Sequence, residues 1–320
     1  MGDEVFAQPW LEFEKELGFR PLLHGPLDNV FAGWEKLGGA LVSKFEFPAP
    51  DDSIQTEDRT IDDGLKVRIY TPKDHSGNKP FCFYTHGGGY AMGDLNMDDG
   101  GCRVLASAGI IVVSIDYRLA PQHKFPVALD DSMTGLHWAF KNAQSLGASP
   151  EKAIIAGASA GGQLALGVAL RLIDEGKGDL LAGVIAQVPI TLHPDAVPES
   201  LKAKFTSYDE HAEHTVNTKN AMAAFNGAYD PPPTHKYFSV LLHDKIDEMP
   251  KTYITCAGAD TLRDDARAFR DALKQKGVPY KYDEYPGYPH YFWTFPAQSL
   301  KAPAAEYNKN LVDAVKWILS

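Results

Sequence analysis

An α/β fold is what this sequence predicts: a mostly parallel central sheet flanked by helices, with a helical cap over one edge. Three observations lead there. From about residue 58 onward, short β-rich runs alternate with segments of helical period. Several of the β-rich runs are almost wholly apolar, as strands covered on both faces must be. Two stretches, 1–50 and about 190–245, break the alternation.

Taken in order, residues 1–50 scatter large apolar groups (Trp10, Phe13, Phe19, Phe31, Trp34) without any strand-like run and are read as an N-terminal cap segment. The remaining 51–320 form the sheet-bearing domain. Its strands are expected at Val67–Tyr70, Phe81–Tyr84, Ile110–Ile115, Ala153–Ala156, Val184–Val188, Tyr253–Ala257 and Tyr280–Tyr285. Leu129, Met133, Leu136 and Phe140 step by four, three and four, with Pro126 to start that helix and Gly147 to end it. Leu262, Ala266, Phe269 and Leu273 repeat the rhythm before Gly277, and Tyr307, Leu311, Ala314 and Ile318 repeat it again. The second irregular stretch, about 190–245, holds His193-Pro194, the run Pro231-Pro232-Pro233 and a helix-like segment near Ala221–Ala228. It is read as a cap insertion over the carboxyl ends of the strands, where open α/β sheets form their ligand crevice.

Composition narrows the partners. A formal charge of −11 argues against nucleic acid and against an anionic membrane surface. No run approaches the roughly 18 uncharged apolar residues that span a bilayer. Met1-Gly2-Asp3-Glu4 is acidic where a secretory signal is basic, and Phe6 stands where a myristoylation motif needs Ser or Thr. Cys82, Cys102 and Cys256 form no CxxC pair, and no Asn-x-Ser/Thr acceptor occurs. A cytoplasmic protein without a stable membrane anchor is expected, and a homodimer is left open.

Two glycine-rich stretches carry the chemistry. Gly157-Ala158-Ser159-Ala160-Gly161 follows an apolar strand and precedes a helix in which Leu164, Val168 and Leu172 share a face. That is the setting of a sharp turn that presents a Ser hydroxyl. His86-Gly87-Gly88-Gly89 leaves backbone N–H groups uncovered, so that those of Gly88 and Gly89, with that of Ala160, can converge on a developing oxyanion. A Ser hydroxyl needs a base and an orienting carboxylate. Asp260 stands just past Tyr253–Ala257 and His290 just past Tyr280–Tyr285, the loop positions that chain order assigns to acid and base. Asp264 and Asp265 are rivals for the acid, but they fall inside the following helix and are expected to point away. His86 is expected to brace its loop.

These blocks resemble the hormone-sensitive-lipase group of α/β-hydrolases over about residues 60–320. His86-Gly87-Gly88-Gly89-Tyr90 with Gly93-Asp94-Leu95 is similar to the group's oxyanion block, and Asp116-Tyr117-Arg118-Leu119-Ala120-Pro121 with Phe125-Pro126 and Asp130 to its structural Tyr-Arg-Leu-Ala-Pro block. The resemblance implies an α/β-hydrolase fold with a helical cap and a carboxylesterase triad of Ser159, His290 and Asp260 working without cofactor or metal. Three positions depart from the pattern. Ala158 and Gln122 stand where the group usually carries acidic residues, and Tyr291-Phe292-Trp293 follows His290 in place of Gly-Phe. That aromatic cluster is similar to fungal members, some of which act on acylated polyketides.

The expected partner is therefore a small-molecule ester with a short- to medium-chain acyl group. Tyr90, Phe205, Tyr208, Trp293 and Phe295 are candidate pocket aromatics. The same resemblance extends to lyases and cyclisation catalysts that reuse the oxyanion hole, and to hormone receptors that have lost a triad member. The intact triad speaks against a receptor. His211 and His214 have three-residue spacing where a zinc-binding HExxH helix needs four, so no metal is expected there. No Gly-rich loop carries the Lys or trailing acid that nucleotide binding requires.

Overall fold

The computed structural model describes residues 3–213 and 216–320. One eight-stranded sheet organises them: β1 (Ile54–Thr60), β2 (Lys66–Pro72), β3 (Pro80–Thr85), β4 (Val112–Asp116), β5 (Ser149–Ala158), β6 (Leu181–Gln187), β7 (Thr252–Ala257) and β8 (Tyr280–Tyr285). The spatial order is β1-β2-β4-β3-β5-β6-β7-β8. β1 and β2 run antiparallel to each other and β2 to β4, and every pair from β4 through β8 is parallel.

The seven expected strands are present with ends moved by a few residues, and β8 has the expected bounds. β1 is an addition to them. Its sequence, Ile-Gln-Thr-Glu-Asp-Arg-Thr, buries only Ile54 and shows no alternation. It is a strand because it pairs along its whole length with β2, Ile54 opposite Pro72 and Thr60 opposite Lys66, around a turn in which Asp63 has a φ of 60°. Polar side chains on an outermost strand also blunt its unpaired edge.

The helices are α1 (Gln8–Leu17), α2 (Leu27–Lys44), α3 (Asp99–Ala106), α4 (Val127–Leu146), α5 (Ala160–Asp174), α6 (Glu199–Lys202), α7 (Ser207–Glu210), α8 (Lys219–Tyr229), α9 (Arg263–Lys276) and α10 (Lys301–Leu319). Gly147 and Gly277 end α4 and α9 in the left-handed conformation, φ 89° and 72°, as their sequence position requires. α5 lies against β5 and β6, and nearly all of its residues are buried. The apolar stripes of α4, α9 and α10 face inward, with Leu136, Phe269 and Leu311 fully buried.

The two irregular stretches meet each other. The amide of Leu23 donates to the carbonyl of Val216 (2.8 Å), and the Thr218 hydroxyl donates to that of Leu23 (2.6 Å). α2 packs against α8. Farther down, Trp10 and Phe13 anchor α1 on Phe295, with ring centroids 5.4 and 4.9 Å apart. α9 holds the second stretch from below. Asp265 Oδ1 accepts the amides of Thr191 (2.7 Å) and Leu192 (3.1 Å), and Asp264 Oδ2 accepts those of Thr206 and Ser207 (both 2.8 Å). The two rival aspartates thus turn to this stretch, as their helical position predicts.

Candidate active site

β5 ends in a turn that only small residues can form. Ser159 has φ 57° and ψ −119°, a conformation L residues rarely adopt and one that costs about 1–3 kcal/mol. The turn is held by the Ser159 amide donating to Gln187 O (2.8 Å) and by the Gln163 amide donating to Ser159 O (3.0 Å). A Cβ on Gly157 would lie 2.2 Å from Gly161 O, and one on Gly161 2.0 Å from Thr85 O. Both glycines are therefore dictated by backbone crowding between β3 and the start of α5. Ser159 lies at the amino end of a helix, with the Ala160 amide at its first position.

The loop behind β3 is equally constrained. Gly88 and Gly89 have φ of 104° and 60°, and a Cβ would meet Met92 O at 2.1 Å or the Phe225 ring at 2.3 Å. His86 is buried, stacked on Tyr117 at 4.2 Å, with Nδ1 2.7 Å from Gly87 O. That carbonyl accepts, so the proton sits on Nδ1. Burial, opposed by this bond, lowers the ring's pKa to about 4, so it stays neutral at neutral pH. His86 thus braces the loop.

His290 and Asp260 converge from the loops after β8 and β7. His290 Nδ1 lies 2.6 Å from Asp260 Oδ2, and both side chains are buried. Asp260 Oδ1 accepts the Leu262 amide at 3.0 Å. Burial alone would raise the Asp260 carboxyl. The positive charge available to His290 and the bonds from His290, Leu262 and Asn217 outweigh it and hold the pKa below the usual carboxylate value. An ionised Asp260 fixes the proton on Nδ1 and leaves Nε2 as the acceptor.

Ser159, His290, Gly88 and Gly89 share the wall of one cavity of about 340 Å³. The rest of that wall is almost wholly apolar: Met92 and Met97 below, Leu37, Gly38 and Leu41 from α2, and Met222 and Phe225 from α8. Among the described residues, no Asp, Glu, Lys or Arg lines it. Trp34, Val42 and Phe47 stand exposed at its rim.

Four expected pocket aromatics lie elsewhere. Tyr90 is buried beneath the loop, stacked on Tyr229 at 4.1 Å with its hydroxyl donating to Gln163 Oε1. Phe205 and Tyr208 stack on each other, and Trp293 lies flat on Tyr307 at 4.0 Å. None of the four lines the cavity, because packing against neighbouring rings claims each of them. Phe295 does line it. His211 sits 3.1 Å from the Arg263 guanidinium, and His214 lies outside the described residues. Sequence reasoning misses Phe225, Met222 and Gly38 on the wall, and Asp98 beside Gly87 of the glycine loop. An apolar helical stripe marks core and pocket alike, and nothing in the chain sets these residues apart.

A strained turn at Ser159, a hydrogen-bonded His–Asp pair and a glycine loop stand around one apolar cavity, as in a hydrolase. The chain belongs to the alpha/beta-hydrolase family, in its hormone-sensitive-lipase-like group: the family model of the alpha/beta hydrolase fold matches residues 82–294. Over 315 residues it is 44% identical to the versiconal hemiacetal acetate esterase of Aspergillus parasiticus, covering 98% of each chain. It is also 45% identical over 294 residues to the FAD-linked oxidoreductase pytB of Aspergillus terreus, covering 91% of this chain and 36% of that protein. Among solved structures, vibralactone cyclase superposes with a TM-score of 0.86 at 29% identity, covering 98% of this chain and 95% of that one. The protein is an enzyme that acts on carboxylic ester bonds. Among the described residues no helix is long and apolar enough to cross a membrane.

Proposed function

We propose that the protein is a serine carboxylesterase that removes a short- to medium-chain acyl group from an apolar secondary metabolite, such as an acylated polyketide. Ser159 attacks the ester carbonyl. His290 Nε2 takes the hydroxyl proton and returns it to the leaving alcohol, while Asp260 keeps the imidazole in the required tautomer and supports the imidazolium. The amides of Gly88, Gly89 and Ala160 stabilise the oxyanion, each donor worth about 3–4 kcal/mol. Water then releases the acid from the acyl-enzyme, with no cofactor or metal. Residues 1–50 and 190–245 serve as the cap, and the enzyme works in the cytoplasm as a monomer or homodimer.

One observation carries this reading: the 2.6 Å His290–Asp260 bond opens onto the same cavity as a Ser held in a strained turn. The apolar, uncharged wall supports a neutral, bulky alcohol, and the relative named versiconal hemiacetal acetate esterase supports the acyl class. The test is Ser159→Ala against wild type on a short-chain p-nitrophenyl ester, with fluorophosphonate labelling alongside. Turnover is expected to fall by roughly 10⁴-fold or more and labelling to vanish. Retained turnover in the variant removes Ser159 as nucleophile. The likeness to vibralactone cyclase supports a second reading, in which the same acyl-enzyme is resolved by an internal nucleophile. Product analysis with an acyl substrate bearing a hydroxyl separates the two.

A further inference from the structure

A buried carboxylate sits where the oxyanion loop and the histidine loop meet. Asp98 is 7% exposed and occupies the N-cap of α3, yet its side chain makes no capping bond. An Asp at that position ordinarily accepts an amide of its own helix. Instead, Asp98 Oδ2 accepts the Gly87 amide at 2.9 Å and the Tyr291 hydroxyl at 3.4 Å. Gly87 adjoins the oxyanion glycines and Tyr291 adjoins His290. The junction is crowded: a Cβ on Gly87 would lie 2.0 Å from Tyr291 Oη and 3.0 Å from Ala158 O. Tyr291 also holds a left-handed φ of 61°, an expense the fold bears where it needs that ring's direction. Two of the positions that depart from the group's usual sequence, 158 and 291, therefore meet at one glycine.

We propose that Asp98 is a positioning residue for ester hydrolysis: its carboxylate ties the oxyanion loop, through Gly87, to the His290 segment, through Tyr291, and its charge supports the imidazolium formed in the transition state. This rests on the assignment of Ser159 and His290 above. The groups facing Asp98 are Tyr84 from β3, Tyr117 beyond β4, Cys102 from α3, His290 and Tyr291 beyond β8, and Tyr307 from α10. Of these only His290 can become a cation. Burial raises the Asp98 carboxyl to about 6, against the lowering effect of the Gly87, Tyr84 and Tyr291 bonds and of His290. The brace is therefore ionised at neutral pH and loses its charge as pH falls through about 6.

The experiment compares Asp98→Asn and Tyr291→Phe with wild type for kcat, KM and pH profile on a p-nitrophenyl ester. It is paired with an NMR titration of the His290 ring. In D98N, kcat is expected to fall by up to about 100-fold with KM little changed, as displaced machinery does. Its acid limb becomes shallower, one titrating group in place of two, and moves to lower pH. Y291F keeps the Gly87 bond and loses less, and the double variant loses less than the product of the singles. The His290 titration moves to lower pH in D98N, a readout that stands without ester turnover. A wild type that labels and turns over esters, with kcat, acid limb and titration all unchanged in both variants, overturns the proposal. So does a D98N that loses only melting temperature. Absence of ester turnover in wild type, with the His290 titration still shifted, overturns the esterase reading and leaves the coupling of Asp98 to His290 standing.

Discussion

The loops at the carboxyl ends of the strands and the helical wall above them are built on different principles. In the loops, backbone atoms decide. Gly88, Gly157 and Gly161 each lack a Cβ because a main-chain oxygen, 2.1, 2.2 and 2.0 Å away respectively, already fills the space. On the wall, side chains decide, and one apolar group can stand in for another. α2 even carries Gly38 and Gly39 where a Cβ would meet nothing within 4 Å, although Gly inside a helix costs about 0.5–1 kcal/mol relative to Ala. On the proposed reading, the chemistry is thus held rigidly by what cannot be added, whereas the fit to substrate is set by what has been left small. The contrast separates the residues that fix the reaction from those that fix its scope.

The most direct way to break that contrast is Gly161→Ala. The added methyl meets Thr85 O and His86 O at 2.0 and 2.4 Å, so the end of β3 and the Ser159 turn must part. We expect activity to drop by at least about 100-fold and unfolding free energy to fall by about 1–3 kcal/mol, read by esterase assay and denaturant titration. Gly38→Leu sharpens the other side. A side chain growing into the cavity mouth should lower kcat/KM for bulky aryl or polycyclic acetates by about 10–100-fold relative to a small acetate. Gly39→Ala, on the same helix but off the cavity wall, should leave that ratio alone and raise stability by about 0.5–1 kcal/mol. An unchanged ratio in G38L would mean that α2 does not define the pocket.

A further test concerns the contact of α9 with the stretch that follows β6. Burial raises the Asp265 carboxyl to about 8, despite the amide bonds from Thr191 and Leu192 that lower it. Its folded-state pKa lies above the unfolded value, so wild type binds the proton more tightly when folded and loses that stabilisation as pH rises from about 4 to about 8. Asp265→Asn has no such proton. Its stability relative to wild type should therefore climb across that window and level off above it, in melting curves taken at each pH.

The same contrast explains what can be read from the chain. Ser159, Asp260 and His290 are legible because each sits at a fixed place after a strand, and the glycines around them announce backbone geometry. The stripes through Leu136, Phe269 and Leu311 are legible because burial on one face imposes a period. β1 is not, since only its hydrogen bonds to β2 make it a strand. Tyr90 and Trp293 mislead because an aromatic ring stacked in a core and one facing a ligand look identical in sequence. Asp98 is invisible for a different reason. It reads as an ordinary helix cap, and only the fold shows its carboxylate turned toward Gly87, 11 positions earlier in the chain, rather than toward its own helix.

The order in which the site's parts occur along the chain has a consequence for synthesis. The glycine loop and the Ser159 turn belong to β3 and β5, near the middle of the sheet, and those two strands pair directly. His290, the proposed base, arrives only with the loop behind β8, the last and outermost strand. On the proposed roles, a nascent chain that has folded only as far as α9 holds Ser159 without its base, and hydrolytic power waits on the final strand. A ribosome-bound intermediate is therefore chemically silent toward the cell's own esters until its fold is nearly closed.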